Sequence, residues 1–287
     1  MLFIEPKAGV APVVQFIHHA HKRLDINTYL LTDRVILRAV HSAVRHGVRV
    51  RIIIARHPYG HRPRGEIARL RATGAQVRYA PRRFSRRYVF DHAKYMVSGE
   101  RGEIGTANMT WSAFRKNREY LWTGHDPRIA QALRTVFRAD WSHRHAGDAP
   151  RKTLILSPGA TADLVHTLRM PGRVCIESEE LGRDRPVLAA LRAKGRSADL
   201  LLPSRLNRYD RRVARSLASS GVQVRFLRHP YLHAKLIAGP DRAFIGSENL
   251  SPSSLEHNRE VGLVLRGKDA RTLFDQCRRD FGRGARR

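Results

Sequence analysis

The sequence contains few cysteines, few acidic residues and no long apolar run. Its two cysteines, Cys175 and Cys277, have neither the number nor the spacing of a disulfide framework or a zinc site, so we expect reduced, unreactive thiols. No stretch approaches the roughly 18 consecutive apolar residues of a membrane helix. The N-terminus also has no basic region ahead of an apolar run. We therefore expect no transmembrane segment and a cytoplasmic location, or export if a signal peptide has been removed.

The shortage of acidic residues leaves a strong positive charge. The chain has 54 Lys and Arg against 25 Asp and Glu, for a formal net charge of +29. A field of this sign attracts polyanions, either nucleic acid or an anionic membrane surface. The alternative is an arginine-rich surface that only reflects coding bias. We expect a polyanionic partner, with nucleic acid favoured.

One polar segment occurs twice in the chain. His92-Ala93-Lys94 recurs as His233-Ala234-Lys235, an offset of 141 residues. An ungapped comparison of residues 92–119 with 233–260 gives 11 identities in 28 positions, including a Gly-x-x-Asn and an Asn-Arg-Glu segment in each copy. Internal repeats fix architecture. Because the best-matched part of this repeat is polar, it predicts a functional site.

The repeat and the length of 287 residues both predict two halves. We assign residues 1–145 to the N-terminal half, residues 146–152 to a linker and residues 153–287 to the C-terminal half. Strands alternate with helices in each half, which predicts an α/β sandwich. We expect a monomer that contains an internal pseudo-dimer, with its active site where the halves meet.

Local signals predict individual elements. Asp33 is a predicted N-cap for a helix that Gly47 ends, and Pro127 to Trp141 is a predicted amphipathic helix. The first triplet falls in a predicted strand over residues 89–98. Since side chains alternate along a strand, His92 and Lys94 are expected on the same face.

Two such strands related by a pseudo-twofold axis would bring cationic and polar side chains into one small volume, which suits a bound phosphodiester. One His can act as nucleophile while the other donates a proton to the leaving oxygen. Each Glu of the Asn-Arg-Glu segments could orient a His ring. Lys, Asn and a hydroxyl could stabilise the phosphate. The expected residues are His92, His233, Lys94, Lys235, Asn108, Asn249, Glu119, Glu260, Thr106 and Ser247.

The first half carries six additional residues before its triplet. They fall in a basic segment that we expect to face the substrate through Arg82, Arg83, Arg86 and Arg87. Aromatic residues also lie among arginines in predicted loops, which suits base stacking, with ordinary packing as the alternative. These are Tyr59, Phe84, Tyr88, Tyr209 and Tyr231.

The two polar segments resemble the signature of the phospholipase D superfamily, His-x-Lys-x4-Asp-x6-Gly-Ser-x-Asn, in both copies. The resemblance covers essentially the whole chain. It implies tandem α/β/α sandwich halves with mixed β-sheets and a reaction through a covalent phosphohistidine, without a metal or cofactor. By resemblance His92 is the nucleophile and His233 the second catalytic residue, the lysines and asparagines bind phosphate, and Glu119 and Glu260 orient the histidines.

The chain departs from this signature at the Asp. Gly99 and Pro240 occupy the Asp position in the two copies, and each copy is one residue short before the Gly. The first copy also has Thr106 where Ser is usual. Because the signature Asp is generally remote from the phosphate, we expect the departures to change turn geometry more than catalysis.

Three functions are compatible with these observations. A nuclease is favoured by the charge and the Arg and aromatic loops. The alternative is a phospholipase D or cardiolipin-synthase-like enzyme at an anionic membrane surface, since tandem halves are common among such enzymes. A non-catalytic nucleic-acid-binding module is the third. Whether water or an alcohol resolves the intermediate stays open.

Overall fold

Alternating apolar strands and amphipathic helices build one mixed β-sheet in each half of the chain. The computed structural model describes residues 1–58 and 65–286. The first half contains strands β1 (Leu2–Ile4), β2 (Arg23–Thr28), β3 (Arg49–Ile54), β4 (Gln76–Tyr79), β5 (Ser85–Arg86), β6 (Val89–Phe90), β7 (Lys94–Ser98), β8 (Arg101–Gly105), β9 (Asn117–Arg118) and β10 (Tyr120–His125). The second half contains β11 (Ile155–Ser157), β12 (Val174–Ser178), β13 (Ala198–Pro203), β14 (Gln223–Leu227), β15 (Tyr231–Leu232), β16 (Lys235–Ala238), β17 (Arg242–Gly246) and β18 (Glu260–Arg266).

The helices follow the same order in both halves. The first half contains α1 (Ala11–His18), α2 (Arg34–Arg45), α3 (Glu66–Arg71), α4 (Trp111–Arg115) and α5 (Pro127–Trp141). The second contains α6 (Thr161–Leu168), α7 (Arg185–Lys194), α8 (Arg208–Ser219), α9 (Pro252–Glu256) and α10 (Gly267–Arg283). None of the helices in the described ranges is both long and apolar enough to cross a lipid bilayer.

The two main sheets have equivalent strand orders. The first runs β1-β10-β8-β7-β2-β3-β4, and the second runs β11-β18-β17-β16-β12-β13-β14. In each sheet the last three strands are parallel, and the other neighbours are antiparallel. This confirms two α/β halves with mixed sheets, related by a pseudo-twofold axis.

Local sequence signals account for several element boundaries. The Asp33 carboxylate accepts the backbone N–H groups of Val35 at 2.7 Å and Ile36 at 3.2 Å, which caps α2 as predicted. Gly47 follows this helix with a φ of +83°, a left-handed conformation that glycine adopts without steric cost. Helix α5 begins and ends at the predicted residues.

Three large apolar clusters form the core, together with a small one that contains Tyr29, Leu30 and Ala55. One lies under α1, α2 and α3 in the first half, and a second lies under α6, α7 and α8 in the other. The third contains residues of both sheets together with α5 and α10. The two halves therefore share their central core. This packing fixes the strands that carry the site residues relative to each other.

Buried ion pairs also cross between the halves. Arg118 of the first half contacts Asp280 in α10, with Nε 2.6 Å from the carboxylate. Arg259 of the second half contacts Asp140 in α5 at 2.8 Å. All four side chains are at most 7% exposed. Because a buried charge without a partner is costly, each half needs the other to neutralise its arginine.

Cys175 and Cys277 form a disulfide, so the expectation of reduced, unreactive thiols is wrong. Cys175 lies on β12 and Cys277 on α10, and their Cα atoms are 6.0 Å apart. Both residues are fully buried. The pair is 102 residues apart in sequence and meets only because α10 packs on the sheet, which the spacing of the cysteines does not reveal.

The disulfide predicts the behaviour of the purified protein. Unfolded in guanidinium without reductant, it should show no thiol that reacts with Ellman's reagent. Since the bond closes a 102-residue loop, reduction should lower the free energy of unfolding by about 4 to 5 kcal/mol, measured by denaturant titration. The double variant Cys175→Ala, Cys277→Ala serves as control, because reductant should not change its stability. Two titratable thiols per chain would contradict the pairing.

Candidate active site

The two His-x-Lys triplets enter the site from irregular segments. We predicted that residues 89–98 form one strand, but β6 ends at Phe90 and β7 begins at Lys94, so His92 precedes the strand. The reason is pairing across the halves. The backbone N–H of His92 donates to the carbonyl of Arg259 at 2.8 Å, and that of His233 donates to the carbonyl of Arg118 at 3.3 Å.

Each histidine is held by a glutamate of the other half. Nδ1 of His92 is 2.9 Å from the Glu260 carboxylate, and Nδ1 of His233 is 2.9 Å from the Glu119 carboxylate. Both glutamates are completely buried. Accepting the Nδ1 proton fixes the tautomer of each ring and directs chemistry to Nε2.

Further donors hold the glutamates in place. The amide of Asn117 donates to Glu119 at 3.1 Å, and the amide of Asn258 donates to Glu260 at 3.2 Å. The hydroxyl of Ser254 also donates to Glu260, at 2.7 Å. The Asn-Arg-Glu segment therefore acts as a unit: the Asn supports the Glu, while the Arg and Glu both reach the other half.

Thr106 and Ser247 do not face the substrate as we expected. The Thr106 hydroxyl donates to Glu119 at 2.6 Å and accepts the backbone N–H of Tyr120 at 3.0 Å. Ser247 accepts the N–H of Val261 at 3.0 Å and hydrogen-bonds to Glu260. Both hydroxyls are fully buried behind the carboxylates, so the structure gives them a supporting position, and their expected contact with substrate is corrected.

Burial controls the protonation of the first histidine and lysine. Burial lowers the pKa of His92 to about 4, although the Glu260 carboxylate opposes this shift. Burial likewise lowers the pKa of Lys94 to about 7, with Glu260 opposing and the Lys235 charge contributing. Burial raises the pKa of Glu260, but the contact with His92, the charge of Lys94 and the hydrogen bond from Ser247 outweigh it and hold the pKa below its ordinary value. At neutral pH His92 is a neutral ring that donates to an ionised Glu260.

The lysines and asparagines complete the site. Nζ of Lys94 donates to the carbonyl of His92, and Nζ of Lys235 donates to that of His233, both at 2.6 Å. Lys94 keeps further N–H donors for a ligand, whereas Lys235 also donates to Glu179 at 2.8 Å and keeps fewer. Asn108 and Asn249 are at most 5% exposed, and Oδ1 of each has no hydrogen-bond partner in the described part of the chain.

The histidines and asparagines border one cavity of about 330 Å³ between the halves, whereas Lys94, Lys235 and Glu119 do not line it. Among the expected residues, His92, His233, Asn108, Asn249, Glu260 and Arg87 line it. Tyr88, one of the aromatic residues considered for base stacking, also lines it, and the structure adds Tyr29, Phe90, Glu179, Glu180, Ser251, Ser253, Ser254 and Asn258. Within residues 1–58 and 65–286, no group of three or more His, Cys, Asp or Glu is placed to hold a metal ion.

The four arginines of the basic segment before the first triplet lie in different environments. Arg87 lines the cavity, and Arg86 lines the neighbouring cleft across the β5–β6 hairpin. Arg82 is exposed in a short 3-10 helix. Arg83 differs from the expectation, because it ion-pairs with buried Asp140 at 2.9 Å and donates to nearby carbonyls. Its guanidinium supports the fold, and the residue also lines the cleft that Arg86 lines.

The aromatic residues considered for base stacking also lie in different environments. Phe84 is buried in the central core, and Tyr209 is exposed on α8. Tyr88 is 69% exposed beside Arg87 at the cavity. Tyr231 is 39% exposed and its hydroxyl donates to Glu179. Tyr59 lies outside the described residues.

The positions of the missing signature Asp lie far from the histidines. Gly99 is in the turn between β7 and β8, and Pro240 is in the equivalent turn between β16 and β17. Gly99 is five positions after Lys94, about 16 Å along an extended chain. Neither residue lines the cavity. Their positions agree with the expectation that the missing Asp changes turn geometry more than catalysis.

Glu179 is a site residue that the repeat did not reveal. Its carboxylate lies 2.8 Å from Nζ of Lys235 and 3.3 Å from Nε2 of His233. Comparing the two copies could not identify it, because the compared segments begin at the triplets. One signal was available: two consecutive glutamates directly follow the apolar strand β12, which pairs with the Lys235 strand.

A family of protein domains matches most of the chain. The family model described as cardiolipin synthase, PLD-like domain, matches residues 13–141 and 180–284. Cardiolipin synthases of Listeria welshimeri serovar 6b and Listeria innocua serovar 6a are each 31% identical over 137 residues, which is 44% of this chain. The match spans only 26% of the length of these relatives.

Solved structures share the fold over almost the whole chain. Polyphosphate kinase from Porphyromonas gingivalis superposes with a TM-score of 0.70 at 15% identity, covering 97% of this chain and 49% of that one. Phosphatidylserine synthase of Haemophilus influenzae Rd KW20 superposes with a TM-score of 0.69 at 11% identity, covering 95% of this chain and 83% of that one. At these identities the likeness concerns the fold alone.

The pairing of His92 with Glu260 gives a mutational test. Glu260→Gln removes the negative charge that accepts the Nδ1 proton, so the turnover of bis(p-nitrophenyl) phosphate should fall by about 100-fold or more. The rate at saturating substrate measures this effect.

Glu248→Gln is the matched control. Glu248 is 1% exposed, and burial together with the Glu260 charge raises its pKa well above the ordinary value, which disfavours its charged form. Replacing it with Gln should leave turnover within a few-fold of wild type. Equal losses in the two variants would mean that any change in this buried region disrupts the site.

Proposed function

The chain belongs to the phospholipase D superfamily, and from this premise we propose that it is a phosphodiesterase that works through a covalent phosphohistidine, with hydrolysis of nucleic-acid phosphodiester bonds as its leading activity. One observation carries the proposal. The two buried histidines border one cavity, and each is held at Nδ1 by a glutamate of the other half. This arrangement presents two Nε2 atoms to one substrate.

The histidines are proposed to share the reaction between them. His92 is neutral at pH 7, because its pKa is about 4, and its Nε2 lone pair can attack phosphorus. His233 donates a proton to the leaving oxygen and then removes one from the water that hydrolyses the intermediate. Neither step draws on a metal ion in this proposal.

The remaining site residues are proposed to bind phosphate. Lys94 keeps N–H donors free after donating to the carbonyl of His92, whereas Lys235 donates both to the carbonyl of His233 and to Glu179 and keeps fewer. Asn108 and Asn249 line the cavity, and the side-chain amide of neither donates a hydrogen bond to another described residue. Donors already fixed in position stabilise the charge that builds on the non-bridging oxygens without needing to reorganise.

The surface charge supports a nucleic-acid substrate. Fifteen of the 25 acidic residues are buried. The buried lysines and arginines of the described chain are only four: Lys94, Arg118, Lys235 and Arg259. The solvent-facing surface is therefore depleted of negative charge well beyond what the composition indicates. Such a surface binds polyanions in a salt-dependent way.

A phospholipid substrate is the second candidate. It is favoured by the family model and by the relatives, which are named cardiolipin synthases. The aromatic side of the cavity, formed by Tyr29, Tyr88 and Phe90, offers an apolar surface next to the phosphate site. In this case the positive surface would bind an anionic membrane.

The covalent route predicts a distinct pattern of variants. His92→Ala and His233→Ala should each lower the hydrolysis of a phosphodiester by about 1,000-fold or more, and activity should persist in EDTA. After rapid quenching with a labelled substrate, wild type should carry an acid-labile, alkali-stable phosphoryl group that His92→Ala lacks. Inhibition by EDTA that is reversed by an added divalent cation would contradict the metal-free route.

The choice of substrate is tested by a parallel assay. Single-stranded DNA, duplex DNA, RNA and vesicles containing phosphatidylglycerol or phosphatidylcholine should be compared at graded salt. We expect nucleic acid to be cleaved, with an apparent affinity that falls steeply as salt rises. Turnover of the lipid vesicles alone would replace the nuclease assignment with the phospholipid one.

A further inference from the structure

The two halves of the cavity differ at one pair of equivalent positions. Strand β2 pairs with β7 so that Thr28 lies opposite Lys94, and β12 pairs with β16 so that Ser178 lies opposite Lys235. The next residue in the chain is Tyr29 in the first half and Glu179 in the second. The pseudo-twofold relation is therefore broken directly beside the histidines.

Glu179 is bound by three donors of the second half. One oxygen lies 2.8 Å from Nζ of Lys235 and 3.3 Å from Nε2 of His233. The other accepts the Tyr231 hydroxyl at 3.1 Å. Burial raises the pKa of Glu179, but the charges of His233 and Lys235 outweigh it and hold the pKa at about 2. The residue is an ionised carboxylate beside the second histidine.

Tyr29 gives the first histidine a different environment. Its ring stands edge-on to the His92 ring with centroids 4.9 Å apart, and it lies 5.5 Å from Nζ of Lys94. Phe90 also stands edge-on to His92, at 5.7 Å. Among the described residues, no carboxylate comes within ion-pair distance of Nε2 of His92. The aromatic rings of Tyr29 and Phe90 therefore lie beside His92, whereas the Glu179 carboxylate lies beside His233.

We propose that Glu179 is a positioning residue that keeps a proton on Nε2 of His233 and so makes His233 the acid, while the aromatic wall of Tyr29 and Phe90 leaves His92 as the nucleophile. The inference rests on the proposed function and deepens it. It gives a physical reason why two histidines with equivalent Nδ1 partners perform different steps.

The reaction balances with these roles. Nε2 of His92 forms a bond to phosphorus as the bond to the leaving oxygen breaks, and the Nε2 proton of His233 moves to that oxygen. Water then loses a proton to Nε2 of His233 and bonds to phosphorus, and the electron pair of the N–P bond returns to His92. Glu179 stays ionised throughout and stabilises the positive charge of His233 at the start and end of the cycle.

The test compares leaving groups that differ in their need for a proton. The alkyl phosphodiester is the substrate that wild type cleaves in the parallel assay proposed above. In the Glu179→Gln variant its rate of cleavage should fall by about 100-fold or more. The rate on bis(p-nitrophenyl) phosphate should fall by less than about 10-fold, because p-nitrophenolate leaves without protonation. The basic limb of the pH–rate profile for the alkyl diester should also move to lower pH.

Glu180→Gln is the matched control. Glu180 lines the same cavity and follows Glu179 in the chain, but it forms no ion pair with either histidine. This variant should change both rates by the same factor. Unfolding midpoints of the two variants, measured beside the rates, separate an effect on the charge at His233 from a loss of folding.

Other outcomes overturn the inference in identifiable ways. Equal loss of both rates in Glu179→Gln would give the residue a structural role only. A gain in activity with a lower KM on both diesters would mean that Glu179 competes with phosphate for Lys235. In both cases wild type remains active, whereas a wild type without phosphodiesterase activity on any substrate would refute the proposed function itself.

Discussion

The reciprocal exchange of charged side chains across the seam is the constraint on which the rest of the structure depends. Arg118 and Arg259 each reach an aspartate in the last helix of the other half, and the neighbouring glutamates each reach the other half's histidine. These groups are almost completely buried, so any of them left without its partner would carry a large desolvation cost. Docking of the halves and assembly of the site are thus one event.

The sequence predicted most of the fold because the relevant signals are local. Asp33 caps α2 through its own neighbours, and the 3.6-residue period of α5 is visible in fifteen consecutive residues. The repeated polar segment also identified residues that line one cavity. Interactions within a few residues of each other leave a pattern in the chain that does not require knowledge of the tertiary structure.

The features that could not be predicted depend on how distant segments meet. Cys175 pairs with Cys277 only because α10 packs on β12. Thr106 belongs to the repeated segment, yet its hydroxyl faces the glutamate and not the cavity, since Tyr120 pairs with it through the backbone. Glu179 precedes its repeat by more than fifty positions and has no identical counterpart in the other half. A search for matching residues favours what the halves share and passes over what distinguishes them.

Tyr29 and Glu179 occupy equivalent positions in the two halves but differ in chemistry. This difference has an implication for why both halves belong to one polypeptide. A symmetric assembly of two identical chains places the same residue on both sides of its axis, so a carboxylate beside one histidine would necessarily stand beside the other. Covalent linkage removes that restriction, because each half can then change at a position without changing its counterpart. Joining the halves thus does more than hold them together: it allows the two sides of one cavity to carry different residues at equivalent positions.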